Sequence, residues 1–291
     1  NKNFLFKINN SKTVISNTNN EMQLSINGIF LNHKITFLLD STSKGGNNVI
    51  IKIPKLDIIS NIFLENEDKF SFLNGFVNVK ILNNYFQFNF TKEKNIKINK
   101  GFIRNHLINS SLEGEVELKP SFLFNLTFKP TILDVEKLFT IVQKEYFSDE
   151  IDKLELIKKI NGTLIFKKKF QGSVIFENGE ILFKNIKTGI NNSILFNARI
   201  SEFGKKGKIH FNILKIFQNR RSLPKELKIS GFIIPLTSKV VFKQILFDKE
   251  NYNEKKIKNF EEKFMNDVIK KSLSNIFNDS KINNFFNNFS N

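Results

Sequence analysis

The chain has 291 residues, a formal charge of +17, 34 phenylalanines and neither cysteine nor tryptophan. The lack of cysteine excludes a disulfide framework, a cysteine-ligated zinc site and a thiol nucleophile. The positive charge alone would point to phosphate partners, nucleic acid or anionic headgroups. However, Lys, Asn, Ile and Phe are used throughout and Ala hardly at all, the bias of an AT-rich genome, so most of the charge reads as solvated surface.

Apolar runs such as Val49-Ile50-Ile51 and Phe232-Ile233-Ile234 fall far short of the roughly 20 residues that span a bilayer. No charged-then-apolar leader opens the chain. It begins at Asn1 without an initiator methionine, and the expectation is a fragment or processed form with its anchor segment upstream.

In chain order, period-two alternation predicts strands at Leu24 and Ile26, at Ile35 and Phe37, and at Val77, Val79 and Ile81. In the next, Phe86, Phe88 and Phe90 share one face and Gln87 and Asn89 the other, the pattern of a half-buried strand. Phe122, Phe124, Leu126 and Phe128 repeat it. Thr131 and Asp134 are then spaced as a capping box with Asp in place of Glu, followed by Val135, Leu138, Phe139, Val142 and Tyr146 at helical spacing. A second short helix is expected through Ile151, Leu154, Ile157 and Ile160. Alternation resumes with Val174 and Phe176, Ile181 and Phe183, then Ile194, Phe196, Ala198 and Ile200, and finally Ile209, Phe211 and Ile213. One-sided alternation of this kind indicates antiparallel sheet, because parallel strands buried on both faces read as unbroken apolar runs.

From about Asn253, Ile257, Phe260, Phe264, Val268 and Ile269 form an apolar stripe among six lysines. This predicts an amphipathic basic helix that lies on the sheet as a lid, with insertion into a membrane surface as the alternative. The last dozen residues, rich in Asn and Phe, show little pattern and are expected to fray.

Asn27-Gly28, Asn74-Gly75, Asn161-Gly162 and Asn178-Gly179 supply the positive-φ residues of two-residue hairpins, or else bulges where strands begin. A looser repeat, apolar-x-Gly-x-apolar, recurs around Gly75, Gly114, Gly162, Gly172 and Gly231. Without a fixed period, it reads as a repeated device at strand starts and not as a solenoid.

The search for chemistry yields little. His33, His106 and His210 have no partner at ligand spacing and read as isolated strand or turn residues. Glu113, Glu115 and Glu117 lie on one side of a strand at spacings of roughly 7 Å, a solvated face paired with lysines and not a cation site. Gly204-Lys-Lys-Gly207-Lys208 lacks the spacing and the Ser or Thr of a phosphate loop and reads as a hairpin turn. No nucleophile elbow or paired-acid motif is present. The expectation is a non-enzymatic protein with no catalytic residue, no metal and no cofactor.

So much apolar surface cannot stay open to water. The predicted helices are too short to cover a sheet of a dozen or more strands, so a sandwich or a sheet curled on itself is expected. The phenylalanines are also too many for a nucleic-acid stacking platform, which shows two or three on a small sheet.

Leu112-Glu-Gly114-Glu-Val116-Glu-Leu118-Lys-Pro120-Ser-Phe122-Leu-Phe124-Asn-Leu126-Thr-Phe128-Lys-Pro130, followed by a helix with Leu138-Phe139, resembles the AsmA-like proteins (AsmA/TamB type) of Gram-negative envelopes. So does Phe170-Gln-Gly172-Ser-Val174-Ile-Phe176-Glu-Asn-Gly179-Glu-Ile181, and the resemblance covers roughly residues 70 to 248. It implies a periplasmic body held to the inner membrane by an N-terminal anchor, with long antiparallel strands forming an apolar groove. The implied role is outer-membrane lipid homeostasis or phospholipid transport between membranes.

The resulting expectation is a mainly β fold: a long antiparallel, curled, taco-like sheet at 1–130 and 161–248, a helical insertion at 131–160 and an amphipathic helical tail at 249–291. Phe86, Phe88, Phe90, Phe122, Phe124, Phe128, Phe176, Phe183, Phe196 and Phe211 should share one concave face that binds acyl chains, since strands in register keep period-two residues on a common side. The expected partners are a phospholipid or other acyl lipid, the inner membrane through the missing anchor, and an outer-membrane protein, with no nucleic acid. The alternatives are a secreted or surface β-sandwich with an adhesive or structural role, and a nucleic-acid-binding sheet.

Overall fold

The computed structural model describes residues 7–18, 21–30, 32–42, 46–65, 73–81, 84–118, 122–147, 160–168, 170–187, 194–204, 206–217, 224–270 and 272–289. The protein is mainly β and antiparallel, with helices at the predicted insertion and at the C-terminal end. It divides into two compact units, residues 1–132 and 133–291.

The first unit holds β1 (Asn9–Thr18), β2 (Glu21–Phe30), β3 (His33–Thr42), β4 (Gly46–Ile53), β5 (Ile58–Glu65), β6 (Leu73–Ile81), β7 (Asn84–Lys92), β8 (Ile96–Arg104) and β9 (Ile108–Glu117), with β10 (Leu123–Leu133) ending at the boundary. Each strand from β1 to β9 pairs antiparallel with the next, and β10 pairs with β9. The second unit holds β11 (Asn161–Phe166), β12 (Gln171–Glu177), β13 (Glu180–Lys187), β14 (Ile194–Ile200), β15 (Ile209–Phe217), β16 (Lys225–Ile234), β17 (Lys239–Phe247) and β18 (Glu250–Asn251). These too pair in sequence order. Among the described residues three helices belong to this unit: α1 (Val135–Tyr146), α2 (Glu254–Phe264) and α3 (Asp279–Phe289), with a π turn at Met265–Ile269 and a 3-10 turn at Leu273–Phe277 between the last two.

Register explains the glycine repeat. Gly75 is directly opposite Phe90, Gly162 opposite Phe176, Gly172 opposite Phe166 and Gly231 opposite Phe211. A Cβ on Gly75 would lie 2.6 Å from the Phe90 ring, and one on Gly231 would meet the Phe211 ring at 3.0 Å. At Gly75 and Gly231 the repeat is therefore a packing device: the glycine leaves room for a phenylalanine laid across it from the neighbouring strand, whereas a Cβ on Gly172 would meet Asn185 and Ile186. Gly114, opposite Ile98, is the exception.

Several local readings need correction. Of the four Asn-Gly pairs only Asn178-Gly179 forms a two-residue hairpin, with φ of 52° and 80° between the paired Glu177 and Glu180. The other three lie within strands β2, β6 and β11, because pairing with the neighbouring strand overrides the local turn preference. Thr131 does not cap α1: it remains in β10 and donates to the Asn109 carbonyl. Asp134 is the cap, accepting from the Lys137 amide at 3.0 Å. The second short helix expected through Ile151 and Ile157 lies outside the described residues, which stop at 147 and resume at 160. Through Phe289 the C-terminal dozen is helical and not frayed. It carries α3, capped by Asn278 accepting from the Lys281 amide, and Ile282, Phe285 and Phe286 make a helical stripe that is buried. Asparagine is a poor helix former, and tertiary burial of that stripe outweighs it.

Candidate apolar binding surfaces

In the first unit the apolar residues of successive strands align in register. Ile15, Leu24, Leu39, Val49, Ile62, Val77 and Phe88 form one row, each directly opposite the next, across seven strands. At the usual strand spacing this row is on the order of 30 Å long. Phe86, opposite Val79 and Ile103, and Phe90, opposite Gly75 and Ile98, flank it on the same face. Phe124 and Phe128 are buried in β10, while Lys129 between them and the boundary points to the other side, where its ammonium meets Glu113 at 2.5 Å. Phe122 precedes β10, with its ring 6.0 Å from Phe124.

The predicted Phe86, Phe88, Phe90, Phe124 and Phe128 therefore share the apolar side of this unit. Among the described residues, no helix longer than the single 3-10 turn at Pro54–Leu56 belongs to it. The opposite side carries Ser25, Asp40, Asn48, Asn61, Asn78 and Gln87 in the alternate register.

In the second unit the same alternation produces a covered face. Phe176 pairs with Ile181, Phe183 with Ala198, Phe196 with Ile213 and Phe211 with Gly231, so the four predicted phenylalanines do lie on one side. Helices cover it. Phe242 of β17 contacts Phe211 at 5.9 Å, Phe260 at 5.1 Å and Phe264 at 5.1 Å. Val268, Phe286, Leu227 and Ile245 are fully enclosed in this core. The lid predicted from Ile257 to Ile269 is thus docked on the sheet, not free. Helix α1 is held by Gln143 donating to the Pro235 carbonyl at 2.6 Å and by Asn278 donating to Glu136 at 2.9 Å.

The covering is uneven. Around β15 to β17 the inner residues are sealed, whereas Phe166, Phe176, Phe183 and Phe196 nearer α1 are only half-buried. There, a cavity of about 160 Å³ lies between α1 and the sheet, with walls that include Phe139, Val142, Phe166, Phe183, Phe196 and Ala198.

Sequence reading missed Lys215. It falls on the inner face between Ile213 and Phe217 and is almost fully buried, with its ammonium donating to the Asn283 side chain of α3 at 2.9 Å. Burial pushes its pKa below the ordinary lysine value. The alternating pattern held the only signal, a lysine standing where an apolar residue belongs.

The remaining polar candidates stay apart. His33 begins β3, His106 is exposed in the turn after β8, and His210 is exposed on the outer side of β15 beside Phe232. Among the described residues no three His, Asp or Glu side chains converge as metal ligands would. Gly204 and Gly207 form a turn closed by the Gly207 amide on the Gly204 carbonyl at 3.0 Å. Asn95 donates to Glu115, so two of the three aligned glutamates have polar partners. On the outer face of the second unit, the Phe232 ring lies under Lys208 and Lys243, at 5.2 and 5.6 Å. The chain matches no protein-family model, no curated protein and no solved structure.

Proposed function

We propose that the protein is a non-enzymatic, periplasmic lipid-handling protein that shields acyl chains along the apolar side of its first unit, passing phospholipid between membranes or sustaining outer-membrane lipid balance. The observation that carries this reading is the seven-strand row from Ile15 to Phe88. Such a row is a continuous apolar track with no polar interruption. Each methylene shielded from water on it contributes about 0.8 kcal/mol, so a tail can be held without any single strong site and can slide from strand to strand. Residues such as Val49, Val77 and Ile98 are buried although the described residues of their unit contribute no covering helix. This supports a sheet that curves around its own apolar side, as twisted sheets readily do.

The test is to replace Phe88 by Asp, confirm folding by circular dichroism, and compare both lipid co-purified in mild detergent and phospholipid transfer between vesicles. The variant should remain folded and lose most of both. If the unaltered protein, purified gently with its native membrane, carries no lipid and transfers none, the row is only packing and the reading falls.

A further inference from the structure

The cavity under α1 differs from an ordinary packing defect in four respects. All of its walls are Leu, Ile, Val, Phe or Ala, so it offers water no hydrogen-bond partner. Engineered cavities of about 150 Å³ with such walls stay dry and take up benzene. A second void of about 40 Å³ adjoins it, with Ile186, Phe196, Ile233, Ile276 and Phe277 as common wall. The only alanine of the 291 residues, Ala198, forms part of its wall and stands in register between Phe183 and Phe211. In a composition that otherwise avoids alanine, a small side chain at this position keeps the space open. Finally, Phe139, Phe166, Phe170, Phe183, Phe196 and Phe277 put six aromatic rings in its wall.

We infer that this cavity binds the apolar end of an acyl chain, about six carbons as for a benzene-sized space. Apolar walls with no polar side chain select a hydrocarbon. An empty void of this size weakens a fold, and an occupant restores the lost contacts. The site is separate from the apolar row of the first unit and stands without it.

The test uses octanoate labelled with a carbon isotope at its terminal methyl and observed by NMR with the full chain. The methyl resonance should move upfield under the rings of Phe139, Phe166 and Phe196, and excess benzene should displace it. Ala198→Leu from the sheet wall and Val142→Phe from the helix wall should each weaken binding at least tenfold while melting no lower than the native protein. An unshifted methyl at millimolar octanoate in the native protein overturns the assignment, as does a shift that benzene and both filling substitutions leave intact. Because Phe88→Asp should not alter the octanoate signal, failure of the cavity and failure of the first-unit row are read separately.

Discussion

The two units of this chain carry the same strand pattern with different consequences. In both, alternating strands place phenylalanine and branched aliphatic residues on one side, and glycines opposite Phe90 and Phe211 make room for the rings. In the second unit that side receives α1, α2 and α3, so Phe211, Phe242, Phe260 and Phe264 are at most 5% exposed. In the first, the corresponding side holds a row of apolar residues and, among the described residues, no helix of its own unit longer than a 3-10 turn. Alternation in a sequence therefore tells which side of a sheet is apolar and not what meets it. That depends on whether amphipathic helices are supplied elsewhere in the chain.

The difference is broken most sharply at Phe264. Its ring contacts Phe242 at 5.1 Å and Phe285 at 5.2 Å, and it is 2% exposed. Phe264→Asp removes those contacts and buries an unpaired charge, for an expected loss of about 4 kcal/mol or more, enough to release α2 and α3 from the sheet. Hydrogen exchange should show β15 to β17 losing protection. The half-buried Phe88, given the same substitution, can turn its carboxylate toward solvent and should lose about 1 kcal/mol. Equal losses at the two positions would mean that the first-unit row is as sealed as the helix-covered core.

How much of this was legible follows from which interactions are local. The alternating strands, α1 and the stripe from Ile257 to Ile269 could be read because period and capping residues lie within a few positions of one another. The Gly75–Phe90 and Gly231–Phe211 pairs could not, since the glycine and its ring belong to different strands and only the register joins them. The phenylalanines from 176 to 211 were placed correctly on one side. Their covering was underestimated because α3 was read as an unpatterned tail: its Asn-rich composition hid the Ile282, Phe285 and Phe286 stripe. The cavity was illegible for a similar reason, as its walls come from α1, β11 to β16 and the 3-10 turn together.

The glycines sharpen the comparison at smaller cost. A Cβ on Gly231 would press on both the Val241 carbonyl and the Phe211 ring, and one on Gly75 on the Phe63 carbonyl and the Phe90 ring. Overpacking in a closed core costs about 1–3 kcal/mol. Gly231→Ala should fall near the top of that range, because Phe242 stands edge-on to the Phe211 ring and blocks its retreat. Gly75→Ala should fall near the bottom if Phe90 can swing outward. Denaturant midpoints of the two variants rank them, and a larger loss at Gly75 would show that Phe90 is the more tightly confined ring.

The smallest expected effect concerns Lys215, a charge set into the helix-covered face at a position directly opposite Leu227. Because burial lowers its pKa in the folded protein, there is a window, from that lowered value up to the ordinary lysine pKa, in which the unfolded chain holds a proton that the folded chain has released. Stability contributed by this group therefore rises with pH through the window and is least below it, the reverse of a lysine held in a salt bridge. Lys215→Met retains the length of the side chain, removes the cost of burying an ammonium and gives up the hydrogen bond to Asn283 and the approach to the Phe217 ring at 5.6 Å. These changes oppose one another, so the net difference at neutral pH should stay within about 1 kcal/mol. The pH dependence decides the case. Denaturant unfolding of native and variant protein, compared at neutral pH and again toward pH 10, should show the native protein gaining on the variant as pH rises. A constant difference across that range would mean that the ammonium of Lys215 is solvated in the folded protein and that α3 does not seal this end of the sheet.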